Sequence, residues 1–235
     1  MDFDLSYAAE LVPTIVMGSV VTLQVAAWGC LGAVIVGLLL ALGRRSRSGV
    51  RAFCIAIIEL VRLSPFLAQL YFFYYALPVY GIVMPAMVVG VVVLSFHFGS
   101  FLSEVFGAGI DAVPKGQIEA AHALGLSRWK TTRLIVLPQM MRFIAAPTAN
   151  YFISLFKTTP YLATIGVPEM LGVALDSATS TFRYVEPLTV VGLLFLAYCG
   201  ALGLLGRIVE KQMGSFSSPR PRWPARIQGK GVARS

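Results

Sequence analysis

"LVPTIVMGSVVTLQVAAWGCLGAVIVGLLLALG", residues 11–43, contains no Asp, Glu, Lys or Arg. A helix needs roughly 20 mostly apolar residues to cross a bilayer, and soluble cores do not require apolar runs of this length. Two more charge-free runs follow, at 63–103 and 187–206. Of the 235 residues, 57% are hydrophobic and 13% charged, against about 25% charged in an ordinary soluble domain. The chain reads as an all-α membrane protein. The residues before the first run, "MDFDLSYAAE", are acidic. A cleavable signal peptide opens with positive charge, so the first helix is expected to be retained.

Five transmembrane helices are predicted: one within 12–42, then roughly 53–77, 83–102, 143–165 and 187–207. The first window exceeds the minimum and is expected to tilt or to enter the interface. Pro78, Gly81 and Pro85 suit a tight turn between the second and third. Orientation follows from the cations. Of 19 Lys and Arg, all but Arg62, Lys157 and Arg183 fall in three segments. The first holds Arg44, Arg45, Arg47 and Arg51; the second holds Lys115, Arg128, Lys130, Arg133 and Arg142; the third runs from Arg207 to Arg234. Five spans put all three on one side. Asp2, Asp4, Glu10, Asp176 and Glu186 lie opposite with Arg183. The N-terminus is therefore expected outside and the C-terminus in the cytoplasm.

This bias accounts for the net charge of +8 without nucleic acid, and no aromatic–basic stacking platform lies outside the spans. A membrane domain is expected over 1–212. The basic Pro-, Gly- and Ser-rich tail, 213–235, is expected to be disordered and drawn to anionic membrane lipid. Cys30, Cys54 and Cys199 sit in or beside apolar runs without metal-ligand spacing and read as buried, unreactive thiols.

One amphipathic insert, 111–139, interrupts the apolar chain on the cation-rich side, between spans three and four. "KGQIEAAHAL" favours a helix, with Gln and Glu complementing the dipole of its first turn. Gly125 suits its stop. Ser127 suits the cap of a second helix over 128–137, which Pro138 is expected to end. The small residues Ala120, Ala121 and Ala123 let another surface approach closely, and Arg128, Lys130 and Arg133 face water or headgroups. Glu119 is left as either a cap or a partner contact.

Polar groups inside a membrane are expensive and need a partner or a task. Glu59 and Arg62, three apart, can form a structural ion pair on one helix face. Gln24, Gln69, His97, Glu104, Asn150, Ser154 and Lys157, with Ser95 and Ser100, could line a path, and several could instead join helix to helix. His97 reads as a packing residue or a substrate contact. Lys157 reads as a gate, as a contact for a substrate carboxylate, or as the partner of Glu104. The chain has no Walker-type glycine loop, no Ser-His-Asp set and no metal constellation. It is not expected to be an enzyme or to bind a cofactor or metal itself.

Glu119-Ala120-Ala121, Gly125, Ile135 and Leu137-Pro138, with Gly116 ahead of them, resemble the EAA loop of ABC importer permeases. "GSVVTLQVAAW" (18–28), "ELVRLSPFLAQLYFFYYALP" (59–78) and "NYFISLFKTT" (150–159) resemble permeases of the polar amino acid group. Residues 62–65 read Arg-Leu-Ser-Pro where that group carries Arg-Gly-Thr-Pro. Two further departures, at Ser103–Ile110 and at Lys157–Tyr161, bear on substrate and not on coupling.

The resemblance implies that the loop docks on a cytoplasmic ABC ATPase dimer, which holds ATP and Mg. It also implies a second permease subunit, identical or related. A solute-binding protein outside would face "PVYG" and "PEML". The implied cargo is an amino acid or a related small polar solute, opine and ectoine types included, crossing a bacterial inner membrane. The competing class is an ion-gradient-driven secondary carrier. Such carriers commonly contain internal repeats, and this sequence shows none.

Overall fold

The structure, a computed structural model, describes residues 3–213. Every regular element among them is helical. Helix α1, Leu5–Gly43, has 39 residues, roughly 58 Å of axis, well beyond a hydrocarbon core of about 30 Å. Asp4 caps it by accepting from the amides of Ser6 and Tyr7. Helix α4, Ala86–Asp111, packs along α1 as the central pair. Their contact is made by small residues. A Cβ on Gly99 of α4 would lie 2.8 Å from Val36 Cβ, and one on Gly37 of α1 would lie 2.9 Å from Leu102 Cβ. Close backbone approach of this kind is how helices associate where lipid supplies no hydrophobic drive.

The second predicted span is broken. Helix α2, Ser48–Leu63, ends at Ser64-Pro65, and the helical segment 66–80 that follows is bent from it by 107°. Pro65 cannot donate to α2, and it holds Ser64 extended, with ψ 139°. The Gln69 side chain then folds back and donates to Val61 O at 2.7 Å and Ser64 O at 3.1 Å, satisfying carbonyls the break leaves open. Segment 66–80 comprises α3, Phe66–Tyr71, a π-type turn and a 3₁₀ turn that ends at Gly81 with φ 81°.

The insert folds as α5, Lys115–Ala123, and α6, Arg128–Thr131. Pro138 does not end the second helix as predicted. A π-type turn, Thr132–Val136, carries the chain into α7, Leu137–Thr158, with Pro138 in its first turn. Proline is tolerated there because first-turn amides have no intrahelical partner anyway. The fourth predicted span keeps its α-helix only to Thr158; 3₁₀ turns continue from Thr159 to Ile165 and stop at Gly166, φ 82°. Helix α8, Met170–Thr181, then packs against α1, and α9, Val185–Met213, closes the bundle on α7.

By length and apolarity, three of the described helices can cross a membrane: α1, α4 and α9. The bent pair makes a fourth if it is one span. The tail predicted to be disordered lies outside the described residues, apart from Met213.

Candidate functional site

Two sets of residues bear on function, one outside the bundle and one within it. Outside, α5 stops where Gly125 takes φ 74°, a left-handed conformation that side-chain-bearing residues avoid. The amides of Gly125 and Leu126 reach back to His122 O and Ala121 O, both at 3.0 Å, closing the helix end. Ser127 Oγ accepts from the Lys130 amide at 3.4 Å and caps α6, as its position predicts. Gln139, at the start of α7, donates to Ile135 O and to Gln117 Oε1, tying α5 to the π-type turn. The result is a braced helix pair.

Ala121 is buried in that brace, whereas Gly116, Glu119, Ala120, Gly125, Leu137 and Pro138 are exposed and Ile135 is half-buried. Glu119 lies in the fifth position of α5, and Pro114 occupies the cap, so the capping alternative for Glu119 falls away. Gln117 is the only one of the two predicted first-turn residues that sits there. Leu124 is 81% exposed and Trp129 72%, beside an exposed Leu134. The sequence reading passed over this apolar set because the cations between them dominate the local pattern.

On the bundle, half-buried Arg62 at the end of α2 pairs with the exposed Glu104 of α4. Two sequence readings fail here. Arg62 does not turn to Glu59, which is exposed on α2, and Glu104 is not the partner of Lys157. The break at Pro65 ends α2 just beyond Arg62, and α4 offers a carboxylate 42 positions along the chain that i,i+3 spacing cannot reveal. Arg44 stands 3.9 Å from the same carboxylate. The Arg62 guanidinium also lies 5.1 Å from the centre of the Phe101 ring, which stacks on Tyr151.

Next to this pair, Gln69 Oε1 and His97 Nδ1 lie 3.3 Å apart. Phe66, Phe98 and Phe101 surround the imidazole edge-on at 5.2–5.4 Å, and Tyr161 tilts against Phe66. The Arg62–Glu104 and Gln69–His97 pairs thus stand on either side of the Phe101 ring, which Arg62 and His97 both touch. Gln24, Asn150, Ser154 and Lys157 are exposed and stand apart from it. Ser154 bonds only along its own helix, to Asn150 O at 3.0 Å and from Thr158. Ser95 and Ser100 likewise donate to carbonyls of α4.

At the opposite end, Arg183 bonds Glu186 at 2.6 Å and Asp4 at 3.4 Å, and covers the Tyr7 ring at 4.4 Å. The Ser6 hydroxyl, the Tyr7 amide and Arg183 pull the Asp4 carboxyl down to about 2. In "PEML", expected to face outward, Glu169 and Met170 are fully buried, because Glu169 caps α8 through the Gly172 amide at 2.8 Å. Its other oxygen is buried without a partner, and burial pushes the carboxyl up to about 7. Val79 and Tyr80 of "PVYG" are exposed as expected. Cys54 is buried and Cys30 and Cys199 are half-buried, all three as free thiols.

Residues 33–215 match the family described as binding-protein-dependent transport system inner membrane component. A probable amino-acid ABC transporter permease protein, y4tG, from Sinorhizobium fredii is 36% identical, covering 92% of this chain and 94% of its own. The arginine transport system permease protein ArtQ of Bacillus subtilis is 31% identical over 92% of this chain and 99% of its own. A crystal structure of an amino acid ABC transporter with histidines contains a similar chain, 27% identical, with a TM-score of 0.83 over 90% of this chain and 100% of that one.

Proposed function

Because the chain belongs to the binding-protein-dependent transport system inner membrane components, a family of ABC importer permeases and not of enzymes, we propose that its α5–α6 pair is the lever through which a separate ATPase drives amino acid import. The protein is a multi-pass permease subunit of the bacterial inner membrane, and an ion-gradient-driven carrier is set aside. The observation that carries the coupling reading is the braced pair itself. It projects the exposed Leu124, Trp129 and Leu134 away from the bundle. A rigid pair transmits rigid-body motion, and an exposed aromatic flanked by leucines supplies a docking anchor.

In this reading the chain crosses the membrane five times, with α7 as the fourth span. The N-terminus is outside, and the 111–139 segment lies in the cytoplasm on an ATPase dimer that carries ATP and Mg. A second permease subunit completes the pathway, and a solute-binding protein docks outside near Val79 and Tyr80. Residues 1–212 form the permease domain, and 213–235 a basic tail.

The cargo reading rests on the Arg62–Glu104 cluster. A free amino acid presents one carboxylate and one ammonium. The pair offers a guanidinium for the first and a carboxylate for the second, within an aromatic frame. Opine- or ectoine-type solutes share that charge pattern and remain within the class. Lys157 and the exposed Gln24, Asn150 and Ser154 are assigned to the wider path.

The experiment is ATP-driven uptake in proteoliposomes holding the permease, its ATPase and its binding protein. Gly125→Asp is expected to abolish uptake while the permease inserts in normal amount. Normal uptake by that variant rejects the coupling reading. Competition among labelled amino acids, with Glu104→Gln expected to weaken transport at least tenfold, tests the cargo reading separately.

A further inference from the structure

A cavity of about 510 Å³ opens between the end of α1, the first half of α2 and the last turns of α4. Arg44, Arg45, Arg51, Glu104 and Asp111 supply its charges, and Ile55, Gly107 and Ala108 part of its wall. Two of the three arginines hold charge in reserve. Arg45 is occupied by Asp111 at 2.5 Å and Gly107 O at 3.0 Å. Glu104 is already taken by Arg62, which leaves Arg44 a loose contact at 3.9 Å. Arg51 is exposed and has no ion-pair partner among the described residues.

The first turn of α2, from which Arg51 projects, adds to this field. Its cap, Arg47, is extended and makes no side-chain cap bond, so the leading amides of a 16-residue helix stay open to an anion. The depth of the cavity narrows the choice of anion. Arg44 is the first charge after the apolar run 11–43, which places the cavity at the level of lipid phosphates. Ile55, Gly107 and Ala108 give that depth an apolar wall beside the charges.

We propose that this cavity is a binding site for the headgroup of an anionic phospholipid in the leaflet on the side of the α5–α6 pair. Arg44 and Arg51 clamp the phosphodiester, and Arg45 stands behind them on Asp111. Paired guanidinium groups match phosphate oxygens in a bidentate geometry. Basic pockets between spanning helices at this depth recognise acidic headgroups. The site lies outside the coupling pair; Arg51 is clear of the Arg62–Glu104 contact, and Arg44 touches it only through the loose 3.9 Å approach to Glu104.

The test is native mass spectrometry of the purified, full-length importer complex, titrated with dioleoylphosphatidylglycerol. The ionic strength is set to screen the diffuse attraction of the C-terminal cations. Phosphatidylglycerol is expected to be retained, phosphatidylcholine lost, and excess inorganic phosphate without effect on the retained lipid. The double variant Arg44→Gln/Arg51→Gln is expected to weaken retention tenfold or more. Asp111→Asn, which frees Arg45, is expected to strengthen it, and it decides the matter if the double variant does not fold. Unchanged retention in these variants, or equal retention of phosphatidylcholine, overturns the proposal. Displacement by inorganic phosphate assigns the cavity to a free anion and overturns the lipid assignment.

Discussion

Glycine does opposite work in the two halves of this molecule. In the α1–α4 pair, Gly37 and Gly99 have ordinary helical backbones, and what they lack is room for a side chain. At the α5–α6 turn, nothing lies within 4 Å of a Cβ built on Gly125, and what it needs is a φ of 74°. The first kind protects the packing of the bundle, and the second protects the shape of a surface. Changes in the core should therefore remove the protein, whereas changes at the turn should leave the protein and remove its coupling.

The hardest blow to that contrast falls on the core. Gly99→Leu forces a branched side chain against Val36 and is expected to cost about 3 kcal/mol or more. Monodisperse protein in detergent should fall several-fold by fluorescence-detected size exclusion. A well-behaved, active Gly99→Leu permease would mean that the central pair tolerates separation, and the contrast would collapse.

Glu169 tests the core electrostatically. Its folded pKa of about 7 lies above the ordinary 4.5, so its ionisation opposes the fold. The penalty is absent below pH 4.5, grows from there to about 7, and is complete above. Its ceiling is about 3 kcal/mol. Glu169→Gln keeps an acceptor for the Gly172 amide and should flatten the fall of Tm between pH 4.5 and 7. An unchanged slope would show that the carboxyl reaches water in the folded protein.

On the surface side, Trp129→Ala should weaken ATPase association by about 2 kcal/mol, close to 30-fold, with no change in membrane abundance. Measured in nanodiscs, equal affinity for both forms would remove Trp129 from the docking surface. The smallest effect is expected at the exposed Asp4 clamp. Its carboxyl is depressed to about 2, so its contribution is present above pH 3.8 and is lost as pH falls through about 2. Asp4→Asn should erase that acid-limb loss in thermal unfolding, lowering Tm slightly at neutral pH and leaving the most acid end unchanged.

Legibility followed the range of the physics. Gly125 and Ser127 were readable because a left-handed helix stop and an N-cap involve only residues within a few positions. Pro138 was misread for the complementary reason. A proline signals a stop locally, yet the π-type turn at Thr132–Val136 brings the chain to it as the start of another helix. Arg62 shows the limit most clearly. The spacing offered Glu59, and the bend after α2 delivered Glu104.

By itself, then, the sequence determined that the chain is helical, that long apolar runs cross a membrane, where its cations gather, and that a helix pair interrupts them. Those properties depend on hydrophobicity summed over about 20 residues and on near-neighbour backbone chemistry. Only the tertiary structure decided which polar groups meet. It paired Arg62 with Glu104 and Gln69 with His97, buried Glu169, and left Trp129 in the open. Those outcomes depend on the 107° bend and on the close approach of α1 and α4. Pro65 breaks the helix locally, but which carboxylate the bend brings to Arg62 and how closely α1 meets α4 are set by the packing of distant segments.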